Sequence, residues 1–210
     1  MLLAACASDP VQQEVAADPV DMSGHWELDY GSSDNLQAQF RTSLRGLRQQ
    51  QARSAAAERA GATVGSSGSQ QALYDLAQMA ELVTQTQLLE IEQDRRSIRV
   101  EREGTFTLSC DYGAGLIRAQ DYGIGRERCF WDGQQLVFEI RLPDGLDIVH
   151  RMSVSRDGQA LAVVSSLYSS RVSGPFSLRR IYRRFEPGRS PYRCTETLSR
   201  GRVCTTERSE

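Results

Sequence analysis

Residues 132–158 read DGQQLVFEIRLPDGLDIVHRMSVSRDG, and the architecture follows from them. Three Asp-Gly pairs, Asp132-Gly133, Asp144-Gly145 and Asp157-Gly158, recur at intervals of 12 and 13 residues. Asp-Gly adopts the positive φ angles of a tight hairpin turn at little cost, and the interval equals one strand plus one turn. Leu136, Phe138, Ile140 and Leu142 fall on one face of a strand. Ile148, Met152 and Val154 fall on one face of the next. Downstream, Leu161, Val163 and Leu167 continue the pattern, and Phe176–Phe185 supplies a last long strand. Upstream, Leu89-Glu90-Ile91 and Ile98-Arg99-Val100 alternate, and Phe106 and Leu108 share a face. Residues 23–30 give a first strand, with Trp26 and Leu28 on one side and His25 and Glu27 on the other. The sum is a mainly β fold: an antiparallel up-and-down meander of about 8–9 strands. Such a meander is expected to close into a barrel, because closure removes exposed edges.

The period changes once, directly after the first strand. Asp34 is placed as an N-cap, and Leu36, Phe40, Leu44 and Leu47 follow at the spacing of one helix face. Gly61 to Ser69 is rich in glycine and serine and reads as a turn. Leu73, Leu76, Ala77, Ala80 and Val83 then mark a second helix. Residues 34–86 are therefore expected to be a two-helix insertion within a β domain spanning 23–185. Residues 186–210 are polar, carry Pro187 and Pro191, and read as an appended hairpin clipped by Cys194 and Cys204.

The chain opens Met1-Leu2-Leu3-Ala4-Ala5-Cys6. Leu3-Ala4-Ala5-Cys6 resembles a bacterial lipobox, in which two small residues admit a signal peptidase and the cysteine thiol accepts a diacylglycerol. The basic and long apolar regions of an ordinary signal peptide are missing ahead of it, so residues 1–6 are expected to be the remnant of a leader. Residues 7–22 hold Ala, Gln, Pro and the acids Asp9, Glu14, Asp18 and Asp21, as a solvated tether does. Ala7 follows the cysteine, and by resemblance to the sorting rule of Gram-negative lipoproteins this implies the outer membrane, facing the periplasm. The lipid on Cys6 would be the only membrane anchor, since no other apolar run approaches the ~20 residues that span a bilayer.

The remaining cysteines fit an oxidising compartment. Cys110, Cys129, Cys194 and Cys204 allow three pairings. Cys110–Cys129 and Cys194–Cys204 are expected because each closes a short local loop. The spacings do not resemble a zinc site, so no metal and no cofactor are expected. The net charge of −2 argues against nucleic acid as a partner, and all 25 basic residues are arginine. The absence of lysine excludes Walker A loops, Schiff-base chemistry and Ser-x-x-Lys nucleophiles. No catalytic motif is found, and a non-enzymatic role is expected.

Gly24-His25-Trp26 resembles the Gly-x-Trp element on the first strand of lipocalins, taken in the broad calycin sense. In that family a last-strand arginine packs over the tryptophan, a place that Arg183 or Arg184 would take here. The resemblance implies a cup-shaped barrel, with the two-helix insertion either a lid over its open end or a pack on its outside. It departs from the family at the Thr-Asp-Tyr element: Gln120-Asp121-Tyr122 is similar, but too many strands follow it.

Other residues offer chemistry. His150 shares strand parity with Ile148 and Met152, so it points inward either as a ligand contact or as a core histidine. Asp111-Tyr112-Gly113-Ala114-Gly115 and Asp121-Tyr122-Gly123-Ile124-Gly125 form a short repeat. Asp111 and Asp121 could act as paired carboxylates and Tyr112 and Tyr122 as a stacking platform, although both units have the residues of turns. Arg41, Arg45 and Arg48 run along the first helix, as a contact for an anionic surface or as a solvated face. The expected function is a lipid-anchored envelope protein that binds an apolar or amphipathic small molecule in its barrel. The alternative is an interaction lipoprotein that docks on an envelope protein or the cell wall through the insertion or the C-terminal hairpin.

Overall fold

The computed structural model describes residues 19–59, 69–111, 120–121, 125–187, 192–197 and 201–206. The elements run β1 (Gly24–Leu28), α1 (Leu36–Arg59), α2 (Ser69–Thr84), β2 (Leu88–Gln93), β3 (Ser97–Arg102) and β4 (Leu108–Asp111). They continue with β5 (Gln120–Asp121), β6 (Arg126–Asp132), β7 (Gln135–Arg141), β8 (Leu146–Val154), β9 (Ala160–Ser169) and β10 (Phe176–Phe185). A separate hairpin, β11 (Tyr192–Thr197) and β12 (Gly201–Thr206), follows.

One antiparallel sheet has the order β4-β3-β2-β1-β10-β9-β8-β7-β6-β5. The first strand is flanked by β2 on one side and by β10 on the other, with Trp26 opposite Arg184 and Leu89. β5 is a two-residue stub on β6, so nine strands build the wall of a nearly closed barrel. Both helices lie between β1 and β2, as the change of period requires.

Among the described residues no hydrogen-bonded ladder closes the wall. Its two ends, β4 and β6, meet at a seam that the Cys110–Cys129 disulfide bridges with a Cα–Cα separation of 5.7 Å. Cys110 lies opposite Ile98 and Cys129 opposite Phe138, so both cysteines have the parity of the barrel interior. The disulfide therefore stands where interstrand hydrogen bonds would otherwise join the sheet to itself.

Each Asp-Gly pair lies at a hairpin connection, but only its glycine takes positive φ, and the connections after β7 and β8 are loops of four and five residues (142–145 and 155–159). Gly133, Gly145 and Gly158 have φ of 60°, 72° and 70°. Strand parity also holds: Leu136, Phe138, Ile148, Met152, Leu161 and Leu167 are all buried.

Several expectations are corrected. Asn35, not Asp34, caps α1: its Oδ1 accepts a hydrogen bond from the Ala38 N–H at 2.9 Å. The Asp34 carboxylate instead accepts from the Arg179 N–H on β10. Phe106 does not join Leu108 in the core but is 79% exposed in the turn before β4. Residues 20–22, expected to fall in a tether over 7–22, pack on the barrel instead. Met22 is fully buried, its N–H donates to Gln93 Oε1 at 2.8 Å, and Gln93 Nε2 returns a bond to the Val20 carbonyl at 3.0 Å. Residues 1–18, including Cys6, lie outside the described residues.

Candidate functional site

The barrel interior contains two apolar clusters. The first, at the β1 end, gathers Met22, Trp26, Trp131, Leu136, Phe138 and the inner residues of β2–β4. The Trp26 indole N–H donates to the Met22 carbonyl at 3.0 Å. The Arg184 guanidinium lies 4.3 Å from the Trp26 ring centroid and donates to the carbonyls of Ser23 and Gly158 at 2.6 and 2.9 Å. A cation over an indole face is favourable. Gly24 makes room for it: at φ 120° a Cβ there would lie 2.5 Å from Arg184 Nη1. Arg183 has the opposite parity, faces outward and pairs with Asp29. Gly24, Trp26 and Arg184 thus form the closing group of this end.

The second cluster is where the helices sit. Leu47 of α1 and Leu73, Leu76, Ala77 and Ala80 of α2 pack on Ile148, Leu167, Phe176 and Leu178. Those four strand residues share inward parity, since Ile148 pairs with Leu167 and Leu167 with Phe176. The insertion is therefore not packed on the outside of the wall. α2 covers the end of the barrel opposite Trp26.

Between the two clusters lies a polar layer. His150 is buried, and its Nδ1 is 2.8 Å from Ser165 Oγ on the neighbouring strand. Burial, reinforced by the nearby Arg102 charge, holds the imidazole down to about 3, so it is neutral at ordinary pH. The Tyr182 hydroxyl donates to the Thr86 carbonyl at 3.1 Å. Burial pushes it up to about 12, against the pull of Arg180 and Arg102. Arg180 donates through Nη1 to the Asp34 carbonyl at 2.9 Å and through Nη2 to Thr84 Oγ1 at 3.3 Å. Its Nε is buried without a partner, as are Thr86 Oγ1 and Glu127 Oε1. Burial raises the Glu127 carboxyl and lowers Arg102, each opposed by the other's charge.

A cavity of about 20 Å³ lies within this layer, lined on its polar side by Thr84, Thr86, Arg102, His150, Ser165 and Arg180. That is room for one water-sized occupant, which needs ~10–15 Å³. Above it, side chains of α2 pack on Ile148, Leu167, Phe176 and Leu178.

The other sequence-derived candidates lie apart from this layer. Arg41, Arg45 and Arg48 are exposed on α1. Asp111 is exposed at the end of β4 and Asp121 lies in β5, while Tyr112 and Tyr122 fall outside the described residues. Cys194 stands directly opposite Cys204 in the β11–β12 register. No group of three His, Cys, Asp or Glu side chains suited to a metal is found among the described residues. No helix among them is long and apolar enough to cross a membrane.

Sequence reasoning found His150 but missed Arg102, Glu127, Ser165, Arg180 and Thr86. A signal existed for three of them. Arg102 continues the parity of Ile98 and Val100, Glu127 that of Cys129 and Trp131, and Arg180 that of Leu178 and Tyr182. A charged residue on the apolar parity of a barrel strand points inward. No family model matches this chain, and no curated protein matches it in sequence.

Proposed function

We propose that the protein is a lipid-anchored envelope protein that takes an amphipathic small molecule into its barrel beneath α2. The observation that carries this reading is the polar layer under a helical cap. Buried polar groups left without partners weaken a fold, whereas a site for a ligand's polar end needs them. If α2 lifts away, it uncovers an apolar rim of Ile148, Leu167, Phe176 and Leu178 above His150, Arg180 and Tyr182. An amphiphile would place its tail where Leu73 and Leu76 now pack. Its polar end would reach the layer below. The stacking of Arg184 on Trp26 supports the calycin-like resemblance, and the disulfide at the seam supports an oxidising compartment.

The reading has two tests. Mass spectrometry of the intact protein extracted from envelope membranes should show a diacylglyceryl adduct that Cys6→Ser abolishes. Anilinonaphthalene sulfonate should bind the full chain with a saturable fluorescence rise and be displaced by a long-chain amphiphile. A protein that neither carries a co-purifying amphiphile nor takes up the dye under native conditions overturns the cup.

A second reading is favoured by one observation. Arg41, Arg45 and Arg48 make no ion pair among the described residues, whereas five arginines of the barrel strands each pair with an acid. An anionic envelope protein or cell-wall polymer docking on α1 would use this face. Crosslinking in cells from positions 41 and 45 checks it: one discrete partner band supports docking, and a bare monomer counts against it.

A further inference from the structure

The cavity in the polar layer carries a charge imbalance. Arg102 and Arg180 both line it. Neither lies within 4.0 Å of a carboxylate among the described residues, where the five ion pairs use other arginines. Their hydrogen bonds go to neutral acceptors: Arg102 Nε to the Phe106 carbonyl at 2.8 Å, and Arg180 to the Asp34 carbonyl and Thr84 Oγ1. The Asp34 carboxylate is turned to the Arg179 N–H and the Gln39 amide. Glu127 acts on Arg102 from a distance but does not line the cavity. The imidazole at the wall is neutral. Both arginines are half-buried, and Arg180 Nε is fully enclosed without a partner; taking such a cation out of water is costly unless an anion is at hand.

Two buried donors remain unused beside that space: Arg180 Nε and Thr86 Oγ1. A volume of about 20 Å³ exceeds the need of one water yet excludes a tetrahedral oxyanion or an organic acid. We propose that the closed barrel binds one monovalent anion of halide size in this cavity, held between Arg102 and Arg180 and hydrogen-bonded by Arg180 Nε and Thr86 Oγ1. The anion adds negative charge where no carboxylate among the described residues lies within 4.0 Å of either arginine. The site belongs to the closed state and does not depend on the amphiphile reading.

Crystals of the full chain soaked in sodium bromide, measured at the bromine absorption edge, test it directly. An anomalous peak within hydrogen-bonding distance of Arg180 Nε is expected. In solution the melting temperature should rise saturably with chloride or bromide, relative to gluconate at equal ionic strength. Thr86→Val keeps the side-chain shape and removes the donor. It should weaken the halide dependence about tenfold, the effect of losing one hydrogen bond to a charged group. Arg180→Gln should abolish it. Should Arg180→Gln fail to fold, the Thr86→Val titration still decides. A water with no anomalous signal at the site, equal melting in chloride and gluconate, or a halide dependence untouched by Thr86→Val each overturns the proposal.

Discussion

The two ends of the barrel are built on different terms. At the Trp26 end the plug comes from the strands and the segment just before β1. The indole has an acceptor, Arg184 stacks on its face, and Met22 and Gln93 lock residues 20–22 in place. At the other end the plug is an insertion. α2 lays small and aliphatic side chains over inward-facing residues of β8–β10, and under it lie polar groups that lack partners. The first end is arranged for stability. The second keeps costs that a stability-driven core would remove, and such departures mark places where a protein does something. The contrast is why the proposed binding site is placed in the helix-capped half.

The contrast can be broken or sharpened by measurement. The largest effect is expected at the Trp26 end. Trp26→Ala removes a fully buried indole and its guanidinium contact, and should cost about 3–5 kcal/mol in urea unfolding. Leu76→Ala under the cap should cost less, about 2–3 kcal/mol, because α2 is free to settle. Equal losses would mean that the two ends are equally rigid.

The seam comes next. Replacing Cys110 and Cys129 together by serine removes the cross-link between β4 and β6 and should cost about 3 kcal/mol. Amide exchange should speed up in β4 and β6 and stay unchanged in β9 and β10. A uniform change along the sheet would show that the disulfide is not a local latch.

A smaller effect separates the polar layer from the rest by pH. His150 ordinarily titrates near 6.5 and is held down to about 3 in the fold. Below 6.5 the unfolded chain takes up a proton that the folded chain refuses. The histidine's contribution is thus intact above 6.5 and is lost as pH falls towards 3, by about 1.4 kcal/mol per pH unit. Glu127 works in the opposite sense, because burial raises its carboxyl and folding then favours the protonated form. Asp21 and Asp94, whose carboxyls are lowered, lose their contributions only as pH falls below about 4. Comparing wild type with His150→Gln between pH 6.5 and 4.5 isolates the histidine. The variant should lose less stability over that range, and parallel curves would place His150 outside the dry core.

Least of all is expected from the helix exterior. Arg45→Ala should change stability by less than about 0.5 kcal/mol, so any effect of that variant on envelope association reports docking alone.

Much of the barrel could be read from residues alone because its signals are local. Asp-Gly turns at fixed intervals set strand lengths, and period-two alternation placed His150 inside. The choice between Arg183 and Arg184 could not be made locally: it rests on the register that sets Arg184 opposite Trp26. Phe106 misled because an aromatic near a strand start mimics core parity, whereas the β3–β4 turn holds it in solvent. Most of the polar layer escaped because its members come from separate strands and from the end of α2, distant in sequence.

The amino-acid sequence by itself determined that the chain is an antiparallel meander with a two-helix insertion after its first strand. Turn chemistry and side-chain period depend on neighbouring residues only. Tertiary structure alone decided that the wall meets at a disulfide seam, that α2 covers one end, and that Arg102 and Arg180 line one small cavity. Each of these depends on which distant residues are brought together when the sheet curls shut, and strand register, not local preference, sets that.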